Sequence, residues 1–295
     1  LELARHLCDH RSTAGTGAAP HSGGSVPEAA RASARGHYLA AVELGAAYGH
    51  YKLGLLALQD GERALARSHL ERAHAGGDRD ATRELAALLR ETGDNDGRAL
   101  ALLAALAEDG DVEGGHALAL WQLEDRRVSD PLALQALEAN ALRGYARSTA
   151  LLGDLHARGL HVERDHRRAR ELWRRAAMSS SEPMLVEGVA RALLLNQTAT
   201  LHDPQAAAEV LDRVLRYRSA QDCGRCFATL ARARLALGDI TAARSAYTLG
   251  LQAARRSRDA EALGALRQVG LELGLEAAPA VKADAQEVAQ EVAQL

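Results

Sequence analysis

Residues 45–77 read GAAYGHYKLGLLALQDGERALARSHLERAHAGG, and the fold follows from how this stretch is punctuated. Leu53 and Leu56, then Ala66, Leu70 and Ala73, recur at helical intervals and give two helix-sized runs one apolar stripe each. Between the runs stands Asp60-Gly61, and glycine takes the left-handed conformation of a tight helix-to-helix turn at little steric cost. The stretch predicts an antiparallel helical hairpin.

The Leu53-Gly54 step of its first helix returns along the chain. Leu85-Ala86, Leu118-Ala119, Leu152-Gly153, Val189-Ala190 and Leu230-Ala231 carry it at spacings of 32, 33, 34, 37 and 41 residues, with a weaker seventh near Leu266. A period of this size marks a solenoid of helical hairpins, none of which buries its apolar face without a neighbour. Four residues before each step stands Gly49, Ala81, Gly114, Ser148, Leu185, Cys226 or Ala262. All but Leu185 are small, as a close helix crossing requires. Gly93-Asp94 and Gly238-Asp239 repeat the turn signal, while Asp before Pro131 and Pro204, and Ser-Glu before Pro183, mark helix starts. The expected fold is all-α, a right-handed α-solenoid of six to seven antiparallel hairpins spanning residues 28–276.

Composition fits that expectation. Apolar residues make up 47% of the 295 but aromatics only 3%, so the interior is built from Ala, Leu and Val. The net charge of −3 provides no global field for nucleic acid or anionic lipid. The aromatic residues that stack bases are also scarce, which argues against nucleic-acid binding. No run approaches the ~18 apolar residues of a membrane span. The chain opens on Leu, so a start, signal or anchor can precede it. Residues 1–27 read as a tail and a flexible Gly/Ser/Ala linker; residues 277–295 read as a second linker with a capping helix carrying Val281, Val288 and Val292.

The first hairpin resembles a tetratricopeptide repeat at Leu53, Gly54, Gly61, Ala66, Leu70 and Ala73. So does the sixth, at Leu230, Ala231, Gly238, Asp239, Ala243 and Tyr247. The fourth resembles the SEL-type variant: Leu152-Gly153, Gly159, Val162, Asp165, Ala169, Trp173 and Ala176-Ala177 follow that pattern, with His161 where the family has Gly. The resemblance covers residues 45–275 and implies a bacterial protein-binding repeat array with no shared catalytic residues.

Candidate chemistry is sparse. Cys223-Gly224-Arg225-Cys226 is a CxxC at a helix start, where the helix dipole lowers a thiol's pKa. The repeat register makes Cys226 a packing residue. A Cys223–Cys226 disulfide in an oxidising compartment, and redox or metal chemistry, stay open as alternatives. His6, Cys8, Asp9 and His10 form a short cluster read as incidental, and His156, His161 and His166 are spread around the fourth turn rather than aligned on one face. No catalytic triad, P-loop or glycine-rich dinucleotide motif can be read, so no catalytic residue, metal or cofactor is expected.

In such arrays the first helices line a concave groove. The Leu step as register places Tyr48, Tyr51, Leu55 and Leu58 there from the first hairpin, Arg83 and Arg90 from the second, and His116 and Leu120 from the third. Arg147, Arg191, Arg225 and Arg232 follow from the fourth to the sixth. A Tyr/Leu patch followed by recurrent arginines predicts another protein or peptide as partner, acidic or amphipathic. The expected function is a non-enzymatic scaffold or adaptor for a bacterial multiprotein complex. By analogy with SEL-type repeats it would belong to envelope secretion or polysaccharide export, in the periplasm or at the envelope rather than the cytoplasm. The alternative is a cytosolic peptide-sensing regulator.

Overall fold

The computed structural model describes residues 28–93, 96–124, 131–196 and 198–275. The 11–27 linker, the His6–His10 cluster and the segment after Pro279 lie outside the described residues, as does Asp94. The chain divides after Asn140 into two compact units.

The first unit contains α1 (Glu28–Glu43), α2 (Ala47–Gln59), α3 (Arg63–Ala75), α4 (Arg79–Glu91), α5 (Asp96–Glu108), α6 (Val112–Glu124) and most of α7 (Pro131–Leu142). The second contains α8 (Ala146–Arg158), α9 (His166–Ser179), α10 (Pro183–Leu195), α11 (Pro204–Val214), α12 (Gly224–Ala236), α13 (Ile240–Ser257) and α14 (Ala260–Glu272). Among the described residues these 14 α-helices and one 3₁₀ turn, Arg218–Ala220, form the regular structure, without a strand. The fold is an all-α array of antiparallel hairpins.

The recurring step falls on the first helix of every hairpin, and Leu53, Leu85, Leu118, Leu152, Val189, Leu230 and Leu266 are all buried. In the first and fourth hairpins the glycine after the Leu faces the second helix of its own hairpin. A Cβ on Gly54 would stand 2.9 Å from Leu70 of α3, and one on Gly153 would stand 2.5 Å from Trp173 of α9. Glycine is thus required where the second helix presents a large side chain. The small-residue position four earlier is the crossing point onto the preceding helix: a Cβ on Gly49 would lie 2.8 Å from the Tyr38 carbonyl oxygen of α1. Leu185 sits at the same position, fully buried. The wider spacings have a visible origin. α10 ends at Leu195 and α11 begins only at Pro204, which lengthens the fifth hairpin, and the 3₁₀ turn lies between it and the sixth.

Helix starts follow sequence chemistry. Asp78, Asp165, Asp203, Asp239 and Asp259 each accept a backbone N–H from the residue three positions on. Each satisfies a donor the helix cannot, a cap worth about 1 kcal/mol. Pro204 follows its Asp cap at the first helical position as expected; Glu182, before Pro183, makes no side-chain cap bond.

Candidate binding surface

The groove positions read from sequence separate into three groups. Tyr51, His116 and Leu120 are buried at 5%, 4% and 2% exposure, so they belong to the packing of the first unit and not to an open surface. Burial, then the nearby carboxylates of Glu84, Asp80 and Asp78, push the Tyr51 phenol well above its ordinary value. It stays protonated.

The second group is the arginines, whose expected free positive charge is already engaged. Arg83 of α4 donates from Nη1 to both oxygens of Asp111, at 2.8 and 2.7 Å, while Asp111 also caps α6 by accepting the Gly114 N–H at 2.6 Å. Asp80 and Glu113 complete the site around Arg83, whose side chain is only 15% exposed. Arg147 of α8 grips Glu182, at the start of α10, with two hydrogen bonds of 3.1 and 2.7 Å. Arg225 of α12 meets Glu261 in the first turn of α14 at 3.0 Å. In each case a guanidinium reaches from one first helix to a carboxylate at the start of the next. Arg232 pairs with Glu272 at 3.3 Å, and Arg191 lies 3.9 Å from the buried Glu187, which accepts a 2.9 Å bond from Thr229. Arg83, Arg147, Arg225 and Arg232 are staples between hairpins, while Arg191 meets a carboxylate of its own helix, so the basic groove inferred from sequence is largely neutralised by the chain itself.

The third group stays accessible. Tyr48 is 54% exposed, and Leu55 and Leu58 are half-buried. The Tyr48 and Tyr51 rings lie 6.3 Å apart, and Lys52 Nζ sits 5.1 and 5.0 Å from their centroids. Arg90 is exposed and lies over Trp121 of α6, 4.6 Å from the ring centroid. The sequence reading missed Lys52 and Trp121. Trp121 stands three residues after its Leu step, outside the groove register used for α6, and only the cation–π contact with Arg90 draws it to this surface. The accessible surface is therefore aromatic and aliphatic with two cations held over rings, on the first helices α2, α4 and α6.

Around the fourth turn His156 and His166 line one open pocket with Glu163, Arg164 and Asp165. His156 Nδ1 lies 3.2 Å from the Glu163 carbonyl and His166 Nδ1 lies 2.7 Å from the Thr200 hydroxyl. Cys223 and Cys226 stand as free thiols, Cys226 buried and Cys223 partly so.

Comparison with solved structures matches this arrangement to known hairpin arrays. A protective antigen of uropathogenic Escherichia coli with an SLR fold superposes with a TM-score of 0.53 and 21% identity over 87% of this chain. A Sel1 repeat protein from Oxalobacter formigenes does so with a TM-score of 0.51 and 18% identity, covering 81% of this chain and 96% of its own. This is the Sel1-like repeat fold. The Sel1-like array here spans 55% of the length of the E. coli antigen. No family model matches the sequence, and no curated protein does. At these identities the likeness establishes the Sel1-like fold alone. Among the described residues, no helix is long and apolar enough to cross a membrane.

Proposed function

We propose that the chain is a non-enzymatic scaffold that docks a segment of another protein on the α2–α4–α6 face and so assembles a bacterial multiprotein complex. The observation that carries this reading is the accessible Tyr48–Lys52 and Arg90–Trp121 surface beside Leu55 and Leu58. Aromatic and arginine side chains supply large contact area, and a repeat array presents them on consecutive helices. Because Arg83, Arg147 and Arg225 are engaged by Asp111, Glu182 and Glu261, the ligand's recognition rests on an apolar stripe. Carboxylates count only where they meet Lys52 or Arg90. An amphipathic segment fits this surface better than a uniformly acidic one. Placement in envelope secretion or polysaccharide export extends the family resemblance, and fractionation of the native source would test it.

The deciding experiment is affinity capture from that source with the intact chain and with a variant carrying Tyr48→Ala, Leu55→Ala, Leu58→Ala and Arg90→Ala. Tyr51 and Arg83 are left intact because their replacement would damage the fold. A partner captured by the intact chain and lost by a variant of unchanged helicity supports the reading. Equal capture by both would move the docking surface elsewhere and end the assignment.

A further inference from the structure

At the start of α12 a thiol stands where other helices of this chain place a carboxylate. Cys223 occupies the N-cap, and its Sγ accepts the backbone N–H of Cys226 at 3.3 Å. Asp78, Asp165, Asp203, Asp239 and Asp259 receive the same bond at the starts of α4, α9, α11, α13 and α14. A helix N-terminus stabilises an anion, so this geometry favours the thiolate.

The second cysteine is placed to complement it. Cys226 lies one turn on, with its Sγ 3.5 Å from the Pro183 carbonyl oxygen. It is fully buried, whereas Cys223 is partly open. The hydrogen bond from the Cys226 thiol, against the cost of burial, holds Cys223 below the ordinary thiol range. The same bond, together with burial, pushes Cys226 up. The residues between them are fixed. A Cβ on Gly224 would lie 2.8 Å from the Cβ atoms of both Ala254 and Ala262, and Arg225 is held by Glu261 and by Met184 Sδ at 3.3 Å. A partly exposed, anion-stabilised thiol beside a fully buried one on a rigid turn is the division of labour that thiol–disulfide exchange requires.

We infer that Cys223 and Cys226 form a redox-active dithiol that exchanges with low-molecular-weight disulfides, with Cys223 as the attacking sulfur and Cys226 as the resolving one. With oxidised glutathione as the co-reactant, the Cys223 thiolate attacks one sulfur and its S–S bond breaks. One glutathione departs as a thiolate and takes up a proton, leaving a mixed disulfide on Cys223. Cys226 then gives its proton to solvent and its sulfur attacks Cys223 Sγ, expelling the second glutathione. Two protein thiols are oxidised by two electrons to one disulfide, and one glutathione disulfide is reduced to two thiols. No other oxidant is needed.

The test uses the full chain carrying Cys8→Ser, equilibrated across a series of reduced-to-oxidised glutathione ratios, quenched with acid and weighed. The expected product is a species two hydrogens lighter, with the bond mapped to the peptide holding Cys223 and Cys226. Adding Cys226→Ala should trap a single glutathione on Cys223. Alanine already fills the equivalent position in two other repeats (Ala81 and Ala262), so this variant should retain its helicity. With Cys223→Ala instead, Cys226 should react roughly tenfold more slowly or less, as befits a buried thiol. Absence of the disulfide at every ratio in the Cys8→Ser protein, or an adduct on Cys226 forming as fast as on Cys223, overturns the assignment.

Discussion

His161 and Arg258 carry positive φ angles of 61° and 52°, in the region the chain otherwise fills with glycine at its helix ends. Left-handed backbone costs a non-glycine residue roughly 1–2 kcal/mol. His161→Gly should therefore raise stability by about 1 kcal/mol and the thermal midpoint by roughly 2–4 °C, read by circular dichroism. An unchanged or lower midpoint would mean that side-chain interactions of His161 offset the strain. The sequence exposed this site because the SEL-type pattern asks for glycine there; nothing flagged Arg258, where no glycine was expected. Asp154 is a second residue under strain, for an electrostatic reason. It is buried beneath Trp173, whose indole N–H donates to Oδ1 at 3.0 Å while Oδ2 has no partner. Desolvation pushes its pKa up to about 6. The folded state then binds the proton more tightly than the unfolded chain, so stability falls as pH rises from about 4 to about 6 and stays lower above. Asp154→Asn should remove that slope and gain up to about 3 kcal/mol at pH 7.5 relative to pH 4. Parallel denaturation curves for the two proteins across this range would sink the claim.

At the scale of helices, the Leu step was legible because it records packing within one hairpin, where partners are close in sequence. The glycines of that step should be intolerant: Gly153→Val would force Trp173 aside and cost about 2–4 kcal/mol, measurable as a lowered urea midpoint. A near-neutral effect would show that α9 can shift freely. The arginine staples were not legible. Their partners stand 28 residues away for Arg83 and 35 for Arg147, and the repeat register does not say which charges meet. The sequence therefore made a free basic groove of residues that join hairpins. Breaking one half-buried staple leaves the other charge poorly solvated, so Arg83→Ala should cost about 1–3 kcal/mol. The double variant with Asp111→Ala should lose less than the sum, measured by a thermodynamic cycle. Strict additivity would mean that the pair is not coupled.

For the whole molecule, periodicity described residues 28–276 as a single run of hairpins and held no sign of the division after Asn140. The apolar side chains form one cluster from Tyr51 to Leu118 and another from Ala150 to Leu273. A cavity in one cluster should loosen that unit selectively. Leu211→Ala, at a fully buried site in the second, should cost about 2–5 kcal/mol there. Amide exchange should quicken in α10–α13 and be unchanged in α4. Equal acceleration in α4 would show one cooperative block instead. The reach of the staples has a further meaning for biogenesis. Arg147 to Glu182 closes a loop of 35 residues, and Cys226 to Pro183 one of 43. Loops this short carry a small closure entropy and favour rapid folding. Within the second unit each hairpin can thus dock on its predecessor while the ribosome is still making the next, and that unit can assemble in the order in which it is synthesised.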